Sequence, residues 1–297
     1  MSVRFALLTD SHYHPQAPED YAAPKMLTRG REVLSAIPEA VNALSPDFVI
    51  HAGDLLCGGS SFALPTDLYE QSVDEVADAF AKIQAPFHCV PGNHDCDAQS
   101  GSFAGFARRF PLPDPLMIKE VAPRLRLALA NVYHSCSSIE ESSGIWTDAL
   151  DVSLRKAATQ AAQDGAALLL VLHTWVLSDH TLNRGLVKNA ERLVETISSH
   201  PAIAAVFTGH RHLNRIRMYR DFLVVDTSCL IGFPLGFRLV TLEDNGLFNT
   251  TFHTLPLTEI NEASYARSTR EENDRWQGEI HDRETEVFLP RLRQSWS

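Results

Sequence analysis

The chain has 297 residues, 44% of them apolar and 21% charged, with a formal net charge of −11. That is enough for one large α/β domain or two small ones, with material for a proper core. The acidic balance argues against a nucleic-acid polymer or an anionic membrane as partner; a small anionic substrate stays open, because a bound cation reverses the sign locally.

In chain order, the apolar run Val3–Leu8 predicts a strand leading to Asp10 and His12 in LLTDSHYH. A helical pattern follows over Thr28–Leu44, which Pro38 should end or kink. Phe48–Ala52 predicts a strand leading to Asp54 in VIHAGDLL, and Leu68–Ile83 a helix. Phe87–Val90 predicts a strand ending on the Pro-Gly turn of VPGNHD, with Asn93, His94 and Asp95. A short helix over Phe103–Phe110 and a strand over Leu125–Ala130 come next. The helix Asp151–Asp164 precedes the strand Leu168–Leu172, which leads to His173 in LLLVLHTW. The helix Asn189–Ser199, with Leu193, Val194 and Ile197 on one stripe, precedes the strand Ala204–Phe207 and the VFTGHRH block with His210 and His212. Strands over Phe222–Val225, Phe237–Leu242 and Leu247–Phe252 follow on short connections and read as antiparallel. The alternation implies sheet covered by helices, an α/β fold. From about residue 256 the chain turns charged and strand-poor. Residues 1–255 read as a catalytic domain, and 256–297 as a helical tail packed on it or in an oligomer interface, such as that of a homodimer.

Five blocks thus place polar residues at the carboxyl ends of apolar strands, the edge where open α/β sheets bind ligands. If the strands continue through them, Asp10 and His12 share a face, and so do His210 and His212. Any one block is compatible with a polar turn or a helix cap; the ordered set of five is not. Carboxylates and imidazoles suit Mn, Fe or Zn, and the absence of Cys from the blocks argues against a structural zinc site. Asp10, His12, Asp54, Asn93, His173, His210 and His212 exceed what one tetrahedral ion needs. With one bridging carboxylate they serve two divalent ions, which suits in-line phosphoryl displacement by a hydroxide held between the metals. The five cysteines, Cys57, Cys89, Cys96, Cys136 and Cys229, form no CxxC pair and read as free thiols in a reducing compartment. No apolar run is long enough to span a membrane, and the chain opens on VRFALL without a charged start and apolar signal region. A cytoplasmic location is the expectation.

D-x-H, GD, GNHD, H and GHxH, in that order over residues 3–253, resemble the calcineurin-like metallophosphoesterases. The resemblance implies a four-layer α/β/β/α sandwich of two mixed sheets flanked by helices, holding two metals. It assigns Asp10, His12 and His212 to one metal, and Asn93, His173 and His210 to the other. Asp54 would bridge them, and His94 would contact phosphate and protonate the leaving group. Asp95 would stabilise the turn rather than ligate. NRGLVKNAERLVETISSHPAIAAVFTGHRH and PLGFRLVTL resemble, within that family, the class III cyclic-nucleotide phosphodiesterases and glycerophosphodiesterases. Two departures stand out. GDLLCG puts Cys57 and Gly58 where many relatives carry Asp and Arg, and Trp175 stands where they often have a second His. Substrate choice is expected in loops 13–27, 57–67, 134–148 and 175–187. His14, His51, Trp146, Trp175 and His180, near the motif strands or in long connections, are the candidates to touch substrate, Trp175 by stacking on a base. The expected function is hydrolysis of small nucleotide or glycerol phosphodiesters. A phosphomonoesterase, a nucleotide pyrophosphatase and a non-catalytic metal-binding scaffold are the alternatives.

Overall fold

Alternation along β1 (Ser2–Leu8) sets the layers. Phe5 and Leu7 point into an apolar core between two sheets, whereas Ala6 and Leu8 point outward to helices. Phe5 stacks on Phe48 of β2 (Phe48–His51) at 4.9 Å and meets Phe207 of the opposite sheet edge-on at 5.4 Å. Each such fully buried side chain stabilises the fold by roughly 1.5–3 kcal/mol. The computed structural model describes residues 2–22, 24–59, 63–135, 139, 141–178 and 185–296.

The first sheet runs in the order β12 (Glu284–Phe288), β11 (Leu247–Thr254), β10 (Gly236–Glu243), β1, β2, β3 (Phe87–Cys89). The second runs β4 (Leu116–Ala122), β5 (Leu125–Ala130), β6 (Ala167–Val171), β7 (Ile203–Thr208), β9 (Phe222–Asp226), β8 (Arg215–Tyr219). α1 (Gly30–Ala43), α2 (Thr66–Phe80) and the short α3 (Ala104–Arg109) cover the outer face of the first sheet. α4 (Asp148–Gln163) and α5 (Ala190–Ser199) cover that of the second. These are the two mixed sheets with flanking helices that the resemblance implies. β1, β2 and β3 are mutually parallel, as are β5, β6, β7 and β9.

The structure departs from the sequence expectations at several places. β4, β8 and β12 were not expected, and all three are edge strands. β9 does not join the antiparallel group; it lies parallel to β7, and β8 alone flanks it antiparallel. Pro38 does not end α1, which runs through it with Pro38 buried against the core. The segment read as strand-poor contains β12. It also carries α6 (Thr258–Ala266), α7 (Arg270–Gln277), α8 (Ile280–Arg283) and α9 (Pro290–Trp296). Leu289, Leu292 and Trp296 complete the core between the sheets. Arg291 donates to the carbonyls of Ile197, Ser198, His200 and Ile203, at the end of α5 and the start of β7. Among the described residues, no helix is long and apolar enough to cross a membrane.

Candidate metal centre

The polar blocks meet at one edge, but not by strand alternation. β1 ends at Leu8 and β7 at Thr208, before the donors begin. Asp10, His12, Asp54, His210 and His212 all take left-handed backbone, with φ of 54°, 40°, 56°, 71° and 57°. Asp and His tolerate this region better than most residues, and such concentrated strain is typical of functional sites. The tight turns fold the donors back over the sheet edge.

Two groups of donors form around Asp54. Nε2 of His212 lies 3.1 Å from Oδ1 of Asp10 and 3.1 Å from Nε2 of His12. Nδ1 of His210 lies 3.0 Å from Oδ1 of Asn93 and 3.2 Å from Nε2 of His173. Oδ2 of Asp54 stands between them, 3.6 Å from Nε2 of His12 and 3.1 Å from Nε2 of His173. Asp10, His12, Asp54, Asn93, His173 and His212 are buried, while His94 and His210 are part-exposed and mark the open side.

This donor set fits two divalent cations. Nδ1–H of His173 donates to the Ala52 carbonyl at 2.8 Å, so in the neutral ring Nε2 presents its lone pair to Asp54 and His210. Lone pairs and carboxylate oxygens converging in a buried space need positive charge between them. Burial opposes charge on His173, yet Asp54 raises its pKa to about 9. Burial would also raise the Asp10 carboxyl, but His212 and His12 hold it well below the usual carboxylate range. Burial and the neighbouring His173 push His210 down to about 3, leaving a neutral ligand. The close groups Asp10–His12–His212, His12–Asp54–His94 and Asp54–His173–His210 each have the spacing to hold an ion.

The family model of the calcineurin-like phosphoesterases matches residues 3–214, which contain all of these donors. The chain belongs to the calcineurin-like phosphoesterases. It is a hydrolase of the metallophosphoesterase type, and family and donors together point to a dinuclear divalent metal site. A dimetal phosphatase from Danio rerio has a similar structure, with a TM-score of 0.66 at 15% identity, over 84% of this chain and 95% of that one. GAP50, the anchor in the inner membrane complex of Plasmodium, superposes with a TM-score of 0.53 at 15% identity, over 86% of this chain and 85% of its own. At such identities the likeness is one of fold. No curated protein matches the sequence.

Around this phosphoesterase centre, backbone groups orient the side chains. The Gly58 carbonyl, 2.9 Å from Nδ1 of His94, accepts its proton and so directs Nε2 away from it, while the His94 N–H donates to Oδ1 of Asp54 at 2.7 Å. Asp95 accepts from the N–H groups of Asp54, Leu56 and Gly92 at 2.8, 2.9 and 2.7 Å. Burial and the Asp54 charge raise its pKa to about 8, against the Gly92 and Leu56 N–H donors. Thr9, absent from the sequence expectations, donates its hydroxyl to Oδ2 of Asp10, which also accepts the His210 N–H at 2.9 Å. The glycines beside the donors were the available signal: Gly92 and Gly209 lie where any Cβ would strike Asp54 or Asp10.

The expected substrate residues fare differently. Trp175 is fully buried, with Arg217 5.5 Å from its ring centroid, so no face is left for a base. Trp146 is buried beside α4, its Nε1–H donating to Asp151 at 3.2 Å. His51 is buried against Phe80 and Phe87. All three side chains are buried, whereas the open side of the centre is marked by His94 and His210. His14 lines a surface cavity of about 500 Å³ with Gln16, Thr28 and Arg31. His180 lies outside the described residues, as does Cys136. Cys57, Cys89, Cys96 and Cys229 are free thiols.

Proposed function

We propose that this phosphoesterase hydrolyses phosphodiesters, with cyclic nucleotides or other small nucleotide or glycerol esters as the substrate class. The observation that carries the reading is Asp54, whose Oδ2 lies 3.6 Å from His12 of one donor group and 3.1 Å from His173 of the other. In this reading Asp10, His12 and His212 hold one divalent ion and Asn93, His173 and His210 the second, with Asp54 shared. When bound, the ions supply Lewis-acid activation of the phosphoryl group and lower the pKa of the attacking water.

The protein's own part is positioning and proton transfer. His94 sits on the open side with Nδ1–H held by the Gly58 carbonyl. Burial lowers the His94 pKa below its ordinary value, against Asp54 and the Gly58 carbonyl, so its imidazolium is a strong acid, whose Nε2–H donates to the leaving oxygen as the P–O bond breaks. Burial would raise the carboxyls of Asp10 and Asp54, but His212 beside the one and His173 beside the other hold them well below the usual carboxylate range, so both stay ionised as ligands. Diester preference is supported by the likeness of residues 183–212 to class III phosphodiesterases. Cys57 and Gly58 support it too, because no guanidinium stands there to grip a dianionic monoester.

The test uses manganese-loaded protein with bis-p-nitrophenyl phosphate and p-nitrophenyl phosphate. Higher kcat/KM on the diester is the expected result, and a strong preference for the monoester overturns the diester reading. Asp54→Asn and His94→Ala should each lower kcat about 10²–10⁴-fold. Unchanged hydrolysis in both would remove the site assignment.

A further inference from the structure

We propose that Asn214 is a positioning residue, through which the C-terminal segment holds His212 in the metal centre and so sets the affinity for one of the two ions. The inference rests on the reading above in which Asp10, His12 and His212 share an ion, and it adds residues that none of the five blocks contains.

His212 depends on support from outside its own turn. Its φ of 57° is a conformation that persists only where the surroundings fix it. Its two partners are tied down on the first sheet: the N–H groups of Asp10 and His12 donate to the carbonyls of Gly53 and Asp54, both at 3.0 Å. His212 comes from the second sheet, and its own carbonyl accepts from the Ser228 hydroxyl at 3.1 Å. The Ser228 N–H in turn donates to Oδ1 of Asn214 at 3.2 Å. Asn214 and Ser228 thus close a ring of hydrogen bonds on the backbone that carries the His212 imidazole.

The tail fixes Asn214 from the other side. The Asn214 N–H donates to the Trp276 carbonyl of α7 at 3.1 Å. Oδ1 of Asn214 accepts a second hydrogen bond, from Nη2 of Arg238 at 2.9 Å, and Arg238 also donates to the Asp282 carbonyl of α8 at 2.6 Å. The Asp282 carboxylate accepts from the Ile216 N–H at 2.8 Å and from Arg215 at 3.1 Å. Gly278, at a φ of 69°, lets the tail come this close, since a Cβ there would stand 2.4 Å from the Asn214 carbonyl oxygen. Asn214, Ser228, Arg238 and Asp282 are all buried, so a donor that loses its acceptor here has no water to turn to.

The amide of Asn214 is used on one side. Oδ1 accepts two hydrogen bonds, whereas among the described residues Nδ2 has no partner. The acceptor oxygen is what matters, and an aspartate keeps it while a leucine of similar size does not. His210, assigned to the other ion, is held separately. Its N–H donates to Oδ2 of Asp10 at 2.9 Å, and the Gly209 N–H donates to the His173 carbonyl at 2.9 Å. A disturbance at Asn214 therefore reaches one ion and spares the other.

The test titrates wild type, Asn214→Leu, Asn214→Asp and Gly278→Ala with manganese by calorimetry and follows each by electron paramagnetic resonance. The wild type should bind two ions and give the spectrum of an exchange-coupled pair. Asn214→Leu and Gly278→Ala should each weaken one ion about 10–100-fold and leave the other at wild-type affinity, with the signal of a single manganese replacing the coupled one at limiting metal. Asn214→Asp should match the wild type. Wild-type affinity for both ions in Asn214→Leu or Gly278→Ala, whatever happens to Tm, marks a merely structural contact and overturns the proposal. Equal weakening of both ions overturns it, and so does an Asn214→Asp variant as weak as Asn214→Leu. A wild type that binds fewer than two ions overturns the metal assignment and this inference with it, whereas failure confined to the variants overturns this inference alone. Should Asn214→Leu not fold, Ser228→Ala removes the hydroxyl on the His212 carbonyl, keeps the Ser228 N–H, and should weaken the same ion.

Discussion

Gly209 shows how little room surrounds the donors. A Cβ there would stand 1.9 Å from the Thr9 hydroxyl and 2.4 Å from Oδ2 of Asp10. Gly209→Ala must therefore push Asp10 out of line. The expected result is a fall in manganese affinity of about 10–100-fold, read by calorimetry. A loss of about 1–3 kcal/mol in stability should accompany it, read by chemical denaturation. The donors themselves were legible in the sequence, because each follows an apolar run and sits beside a glycine or another polar residue. The way they converge was not, since alternation cannot reveal a turn into left-handed backbone at Asp10 or His212. The carbonyls of Ala52 and Gly58 were silent for a simpler reason: every residue has one.

α4 joins its neighbours through a buried charge. Oδ1 of Asp151 accepts from the Thr196 hydroxyl at 2.6 Å and Nε1–H of Trp146 at 3.2 Å, and Oδ2 accepts from Nε–H of Arg155 at 2.8 Å. Burial would raise the Asp151 pKa, but Arg155, Thr196 and Trp146 outweigh it and lower it below the ordinary value. A depressed carboxyl contributes stability in full above its unfolded pKa of about 3.9 and loses it as pH falls through the folded value. Asp151→Asn should therefore melt below wild type at pH 7, and the gap should close on acidification below about pH 4, as thermal melts across pH will show. The same helix illustrates what sequence periodicity misses. It begins at Asp148, capped by Thr147, rather than at Asp151, because its first residues, Asp148 and Ala149, add nothing to the apolar stripe that starts at Leu150. The three unexpected strands share that cause. MIKEV, RIRMY and ETEVF lie at sheet edges, half in water, so their residues need not be apolar. Interior strands such as ALLLV of β6 and IAAVFT of β7 were legible because both their faces are covered.

The molecule as a whole carries three apolar cores, one between the sheets and one under each helical layer, and none of them includes a candidate metal ligand. Removing the ions with a chelator should therefore abolish hydrolysis while far-UV circular dichroism stays native, and added manganese should restore activity. A chain that unfolds on chelation would contradict this division between packing and chemistry. The two ends of the sandwich are built by different means. At one end Trp296 and Arg124 exchange hydrogen bonds, ring N–H to carbonyl and guanidinium to carbonyl, and the tail seals the space between the sheets with apolar side chains. At the other, Asp10 and Asp54 on the first sheet face His173 and His212 on the second, so the sheets are joined there by charge. Stripped of its cations, the protein becomes a hinged book with a greased spine and an unlatched cover. Breathing, and with it proteolytic attack, should start at the pages nearest the clasp.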